Sequence, residues 1–131
     1  MVDVLVVDDD ENYGQVVVRC LTNDGISAIL QTGPFGTINS IRRERPSLVI
    51  LDLNMPAISG EDVGKLIRSA EGLEGIKLML LSSLDQRELD SVKAQVNADE
   101  AVSKTIERAE LLKLVKRLLD KGRPTRRRPL T

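Results

Sequence analysis

Apolar residues fall into two alternating patterns along the chain. Short, nearly continuous runs at Val2 to Val7, Ile26 to Leu30, Leu48 to Leu51, Leu78 to Leu81 and Ala101 to Ser103 read as strands. Between them lie stretches with helical spacing: "ENYGQVVVRCLTNDG", "TINSIRRER", "GEDVGKLIRSA" and "DQRELDSVKAQVNA". In the first, Tyr13, Val16/Val17 and Cys20/Leu21 share a stripe; in the fourth, Leu89, Val92 and Val96 do. A last helix over Glu107 to Lys121 sets Leu111, Leu114/Val115 and Leu118 on one face, with Gly122 as its stop. Five strands alternating with five helices predict an α/β fold with a parallel sheet, right-handed crossovers and helices on both faces. The unbroken apolar strands "VLVV" and "LVIL" fit a sheet covered on both sides.

Composition narrows this further. A chain of 131 residues, 41% hydrophobic and 30% charged, suits one globular domain and argues against global disorder. No apolar run reaches the length of a membrane span, and "MVDVLVV" lacks a signal peptide's basic region and cleavage site. With the single Cys20, which lies on the predicted core stripe, this leads to the expectation of a cytoplasmic protein. The chain has no His, which removes His-based general bases, Ser-His-Asp triads and most zinc sites. Net charge is −1, but the first 121 residues carry −5 and the last ten, "GRPTRRRPLT", carry +4. Residues 1–121 are expected to form the domain, and 122–131 a basic tail or linker. Such a tail can contact nucleic acid or an anionic surface, but is more often a solvated linker, so nucleic acid is not expected for the domain. Met1 directly before the first strand suggests a native N-terminus, and any missing domain would then follow the tail.

In open α/β sheets, function collects outside the carboxyl ends of the strands. The first strand ends in Asp8, Asp9 and Asp10, the third in Asp52, the fourth in Ser82 and Ser83, and the fifth in Lys104. If the first and third strands are neighbours, their carboxylates face each other, and acids that close do not all ionise without a cation. Mg²⁺ takes one or two carboxylates, keeps waters and accepts phosphate oxygens. Lys104 would supply a second positive charge for a phosphate, and Ser82 a hydroxyl donor. One Asp can then act as a nucleophile and form an acyl phosphate. Asp10 and Glu11 are expected to face water, and Ser83 or Asp85 to cap the helix that follows.

The segments "VVDDDEN", "LVILDLNMPAISG", "LMLLSS" and "AVSK" resemble, in order and at strand ends, the receiver domain of bacterial two-component response regulators. Thirty residues separate Asp52 from Ser82, and 22 separate Ser82 from Lys104, which fits the same resemblance. It implies a flavodoxin-like, doubly wound five-stranded sheet of order 2-1-3-4-5. It also implies Asp52 as phospho-acceptor, with Asp8, Asp9, Asp52 and the Asn54 backbone carbonyl around Mg²⁺. Ser82 and Lys104 become the phosphoryl-binding residues, and Met55-Pro56 and Gly60 match the turn after the acceptor. Receivers take the phosphoryl group from a His on a sensor kinase or phosphotransfer protein and relay the signal to an output partner or effector domain. At most they catalyse their own phosphorylation and dephosphorylation. Homodimers through helix 4, strand 5 and helix 5 are a habit of the family.

Two positions depart from the family pattern. Ala101 stands where receivers carry Tyr or Phe, and neither Tyr13 nor Phe35, the only aromatic residues, is expected near strand 5. Thr105 replaces the Pro that commonly makes a cis bond after the Lys; before Thr that bond would cost roughly 2.5–4 kcal/mol, so a trans bond is expected. Thr105 is also a candidate N-cap for the last helix. These changes motivate an alternative, a pseudo-receiver that binds partners without phosphorylation. A remoter alternative is a haloacid-dehalogenase-like phosphatase, which also uses an aspartyl-phosphate. It needs a further acidic pair after its Lys, whereas Glu107, Glu110 and Asp120 all fall on the last helix.

Overall fold

The computed structural model of the chain describes residues 1–56 and 58–122. Elements alternate strictly: β1 (Val4–Val7), α1 (Glu11–Thr22), β2 (Ala28–Gln31), α2 (Thr37–Glu44), β3 (Leu48–Asp52), α3 (Gly60–Ser69), β4 (Lys77–Ser82), α4 (Gln86–Val96), β5 (Glu100–Ser103) and α5 (Arg108–Gly122). All strand pairs are parallel and the order is β2-β1-β3-β4-β5, the expected flavodoxin-like topology. Among the described residues, no helix is long and apolar enough to cross a membrane. The "RPTRRRPLT" part of the expected tail lies outside the described residues.

Period-two alternation divides the strands between two cores. Leu5, Val7, Val49, Leu51, Leu78 and Leu80 pack with Ile41 of α2, Val63 and Ile67 of α3, and Leu89 and Val96 of α4. Val4, Val6, Leu48, Ile50, Met79 and Leu81 pack with Val17 and Leu21 of α1 and Leu111, Val115 and Leu118 of α5. β1 and β3 are buried on both faces throughout, which is why their sequences show no alternation.

Element ends shift by one to three residues from the sequence pattern. β1 starts at Val4, because Val2 and Asp3 donate their N–H groups to Glu44 and Ser27 carbonyls outside the ladder. α1 stops at Thr22, since Ile26 N–H turns back to the Leu21 carbonyl through Gly25 at φ 82°. Thr105 does not cap the last helix. Its N–H donates to Ser103 Oγ at 3.1 Å in a local turn, and α5 begins at Arg108. At the sheet's opposite edge, Arg68 donates to the Asn97 and Ile76 carbonyls at 2.8 and 2.6 Å and pairs with Asp99 at 2.9 Å. That clamp fastens α3 to the segments flanking β4 and β5.

Gly60 sets where α3 begins relative to the end of β3. A Cβ there would lie 2.7 Å from Leu53 Cα and closer still to the Asp52 carbonyl oxygen, both backbone atoms that cannot rotate away. Gly60→Ala is therefore expected to destabilise the protein by about 1–3 kcal/mol in urea unfolding, the overpacking cost outweighing any helix-propensity gain at this first position. An unchanged midpoint would show that α3 can slide off β3 freely.

Candidate functional site

The register brings the strand ends level. Val7 pairs with Leu51, Asp52 with Leu81 and Ser82 with Ser103, so Asp8, Asp52, Ser82 and Lys104 sit side by side along the carboxyl edge. Asp8 and Asp52 continue the alternation of Val4/Val6 and Leu48/Ile50 toward the α1/α5 face. Both are almost fully buried, at 1% and 2% exposure. Lys104 Nζ lies between them, 3.3 Å from Asp8 Oδ2 and 3.2 Å from Asp52 Oδ1. Asp9 is exposed, yet Asp8, Asp9 and Asp52 each offer an oxygen within 4.8 Å of the others.

The three consecutive acids hold three different places. Asp8 is the buried carboxylate, and its Oδ1 accepts the Asp10 N–H at 2.9 Å. Asp9 presents its carboxylate from solvent to the same cluster. Asp10 is the N-cap of α1, accepting the Tyr13 N–H at 3.2 Å. Like Glu11 it is exposed, as expected. Asp85 caps α4 in the same way through the Glu88 N–H at 2.9 Å.

Asp52 has two unlike oxygens. Oδ1 accepts the Asn54 N–H at 3.0 Å and pairs with Lys104; Oδ2 is buried and has no hydrogen-bond partner. Ser82 is fully buried at the next strand end, but its hydroxyl donates to Asn54 Oδ1 at 3.0 Å and accepts the Leu84 N–H at 3.1 Å. Asn54 Oδ1 also accepts the Ser83 N–H at 3.2 Å. The Asn54 side chain thus ties the β3–α3 loop to the β4–α4 loop, a part its sequence position did not reveal.

Burial is the largest influence on Asp8, pushing its carboxyl from 3.8 up to about 6, with the Asp10 N–H and Lys104 opposing and Asp52 reinforcing. Burial pulls the Lys104 ammonium down, but the Asp52 and Asp8 carboxylates push it up further, and the net shift is upward. Three carboxylates and one ammonium leave a net −2 when all are ionised, and the donors are all hard oxygens. The residues present therefore fit a divalent cation.

Tyr13 is the site neighbour that sequence reasoning placed elsewhere. Its hydroxyl donates to the Lys104 carbonyl at 3.2 Å, and Lys104 Nζ lies 4.7 Å from its ring centroid. An aromatic ring does reach the end of β5, from α1 rather than from β5 itself. The available signal was the stripe Tyr13, Val17, Leu21, which the α1/α5 core absorbs one turn further on. Burial also raises the Tyr13 phenol above its ordinary value. Ala101 is buried under α4 opposite Leu80, and no peptide bond among the described residues is cis, so Lys104–Thr105 is trans as expected.

A family model for the response regulator receiver domain matches residues 4–116. The chain belongs to that family. The sensory transduction protein RegX3 of Mycobacterium bovis is 28% identical over 123 residues, covering 93% of this chain and 52% of its own length. The transcriptional regulatory protein CusR of Escherichia coli is 29% identical over 119 residues, with 91% and 52% covered. This receiver thus spans about half the length of these curated relatives. Among solved structures, the receiver domain of a signal transduction histidine kinase from Syntrophus aciditrophicus superposes with a TM-score of 0.85 at 22% identity, covering 100% of this chain and 98% of that one. The chemotaxis protein CheY4 of Vibrio cholerae gives 0.82 at 24% identity, with 90% and 98% covered. At such identities these structures establish the shared fold.

The raised Asp8 carboxyl makes a signed prediction for this receiver without metal. Folding favours the protonated acid, so that stabilisation is complete below pH 3.8 and is lost as pH rises through about 6. In EDTA, wild type is expected to lose about 2 kcal/mol relative to Asp8→Asn between pH 4 and pH 7.5. Urea unfolding of both proteins at both pH values checks this, and a constant difference would show Asp8 to be unperturbed.

Proposed function

We propose that this receiver accepts a phosphoryl group on Asp52 from a histidine side chain of a sensor kinase or phosphotransfer protein, and relays that event to an output partner. One observation carries the reading: Asp52 has one oxygen held by Lys104 and the Asn54 N–H while the other is buried and unpartnered. A carboxylate fixed in this way presents one lone-pair-bearing oxygen in a constant place, the arrangement a nucleophile needs. In the transfer, an Asp52 oxygen forms a bond to phosphorus as the nitrogen–phosphorus bond of the donor breaks, and the electron pair returns to the imidazole. The product is an acyl phosphate on Asp52.

Asp8, Asp9, Asp52 and the Asn54 backbone carbonyl would hold Mg²⁺, which when bound neutralises charge on the phosphoryl oxygens. Lys104, already between Asp8 and Asp52, keeps a positive charge beside the same oxygens. Ser82 has one hydroxyl proton and gives it to Asn54, so donating to a phosphoryl oxygen requires it to release that bond. The same reading puts the protein in the cytoplasm, assigns 1–121 as the receiver unit, and takes 122–131 as a linker to an effector. The twofold greater length of RegX3 and CusR supports the last point. Self-association would use α4, β5 and α5.

Intact mass after incubation with acetyl phosphate and Mg²⁺ tests the chemistry. Wild type is expected to gain a single phosphoryl adduct, absent from Asp52→Ala and from a control in EDTA. No adduct on wild type, together with no transfer from phosphorylated kinases, would overturn the reading in favour of a receiver that signals through binding alone.

A further inference from the structure

Lys104 is the residue on which both buried carboxylates depend, yet little on its own strand restrains it. Its side chain has four rotatable bonds and a point-like charge. The chain after it turns through a trans bond to the exposed Thr105, and Ala101 offers no ring on β5. What grips Lys104 instead comes from α1. The Tyr13 hydroxyl holds its carbonyl at 3.2 Å while the Tyr13 ring lies 4.7 Å beneath its ammonium, so one side chain contacts both ends of the lysine.

These contacts close a ring. Asp8 Oδ1 accepts the Asp10 N–H at 2.9 Å, and Asp10 Oδ1 accepts the Tyr13 N–H at 3.2 Å. Tyr13 then reaches Lys104, and Lys104 Nζ returns to Asp8 Oδ2 at 3.3 Å. Every step is short, and the circuit joins the tip of β1, the first turn of α1 and the turn after β5. We propose that Tyr13 is the positioning residue for Lys104, holding its ammonium between Asp8 and Asp52 so that it faces an incoming phosphoryl group. In this chain the aromatic residue at the lysine is supplied by α1. The kinetic consequence rests on Asp52 being phosphorylated; the positioning itself does not.

Two variants separate the contacts. Tyr13→Phe keeps the ring and removes the hydroxyl, whereas Tyr13→Leu removes both and retains apolar bulk at a half-buried position. With saturating Mg²⁺ and acetyl phosphate, Tyr13→Leu is expected to slow adduct formation on Asp52 about tenfold, and Tyr13→Phe by less. In a Lys104→Met background, Tyr13→Leu should add nothing, because the residue it acts through is gone. An equal further slowing in that background would overturn the proposal. A second readout is independent of phosphorylation: the Lys104 Hε resonances should be shifted upfield by the ring in wild type and Tyr13→Phe, and should return toward random-coil positions in Tyr13→Leu. Should wild type form no adduct, the proposed function fails while this NMR arm still decides the positioning. Lys104 Hε resonances indifferent to Tyr13→Leu would sink it.

Discussion

Two carboxylates buried at neighbouring strand ends share one ammonium, and the rest of the site is arranged around that imbalance. Parallel pairing of β1 with β3 puts Asp8 and Asp52 level on the same face, and burial removes the water that would otherwise separate their charges. Lys104 reaches both, but a single positive charge does not neutralise two. Burial above all, reinforced by Asp52, pushes the Asp8 carboxyl up to about 6. An isolated buried pair of acids would be ruinous to stability at neutral pH; here the deficit is small enough to persist and large enough to draw in a divalent cation. A divalent cation held there would relieve the same imbalance.

That constraint explains why three acids run consecutively after β1. Only Asp8, the first residue past β1, is buried, on the α1/α5 face that Val4 and Val6 also occupy. Asp9 can contribute a carboxylate from solvent without further desolvation, and Asp10 stabilises the helix that starts beside them. Taken as a charge cluster, the segment looks merely repulsive. Its energetics become reasonable once Asp8 is buried against Lys104, Asp9 is left in solvent and Asp10 caps α1.

The sequence made the strand ends legible because parallel strands buried on both faces are continuous apolar runs, and a polar residue ending such a run must lie at the sheet edge. Asp8, Asp52 and Ser82 end such runs, whereas Lys104 follows the half-buried edge strand β5 and is marked by the family resemblance, which also implied the sheet order. What stayed hidden depended on contacts across long sequence separations. Tyr13 and Lys104 are 91 residues apart, and Asn54 and Ser82 are 28 apart. No local pattern encodes the Tyr13 hydroxyl; periodicity reports that the ring faces inward and is silent on where its polar tip ends. Thr105 misled for a different reason. A threonine near a helix start is a good cap by propensity, but the half-buried Ile106 packs into the α1/α5 core before the helix begins, and the Thr105 N–H is satisfied by Ser103 instead.

The distribution of free and engaged groups also shows where this receiver can rearrange. Ala101 is packed against the α4-side core, too small to drive a neighbour by turning, and β5 around it is held by regular pairing with β4. The β3–α3 and β4–α4 loops, by contrast, are joined through the exposed Asn54 side chain, which accepts from Ser82 and Ser83. A hydroxyl has a single proton to give, so any ligand on Asp52 that recruits Ser82 takes that proton from Asn54 and loosens the bridge. The cost is modest because Asn54 faces water and can be resolvated there, whereas breaking a fully buried pair would leave both groups unsatisfied. A group on Asp52 that recruited Ser82 would therefore act first on these two loops and on the starts of α3 and α4, which they lead into.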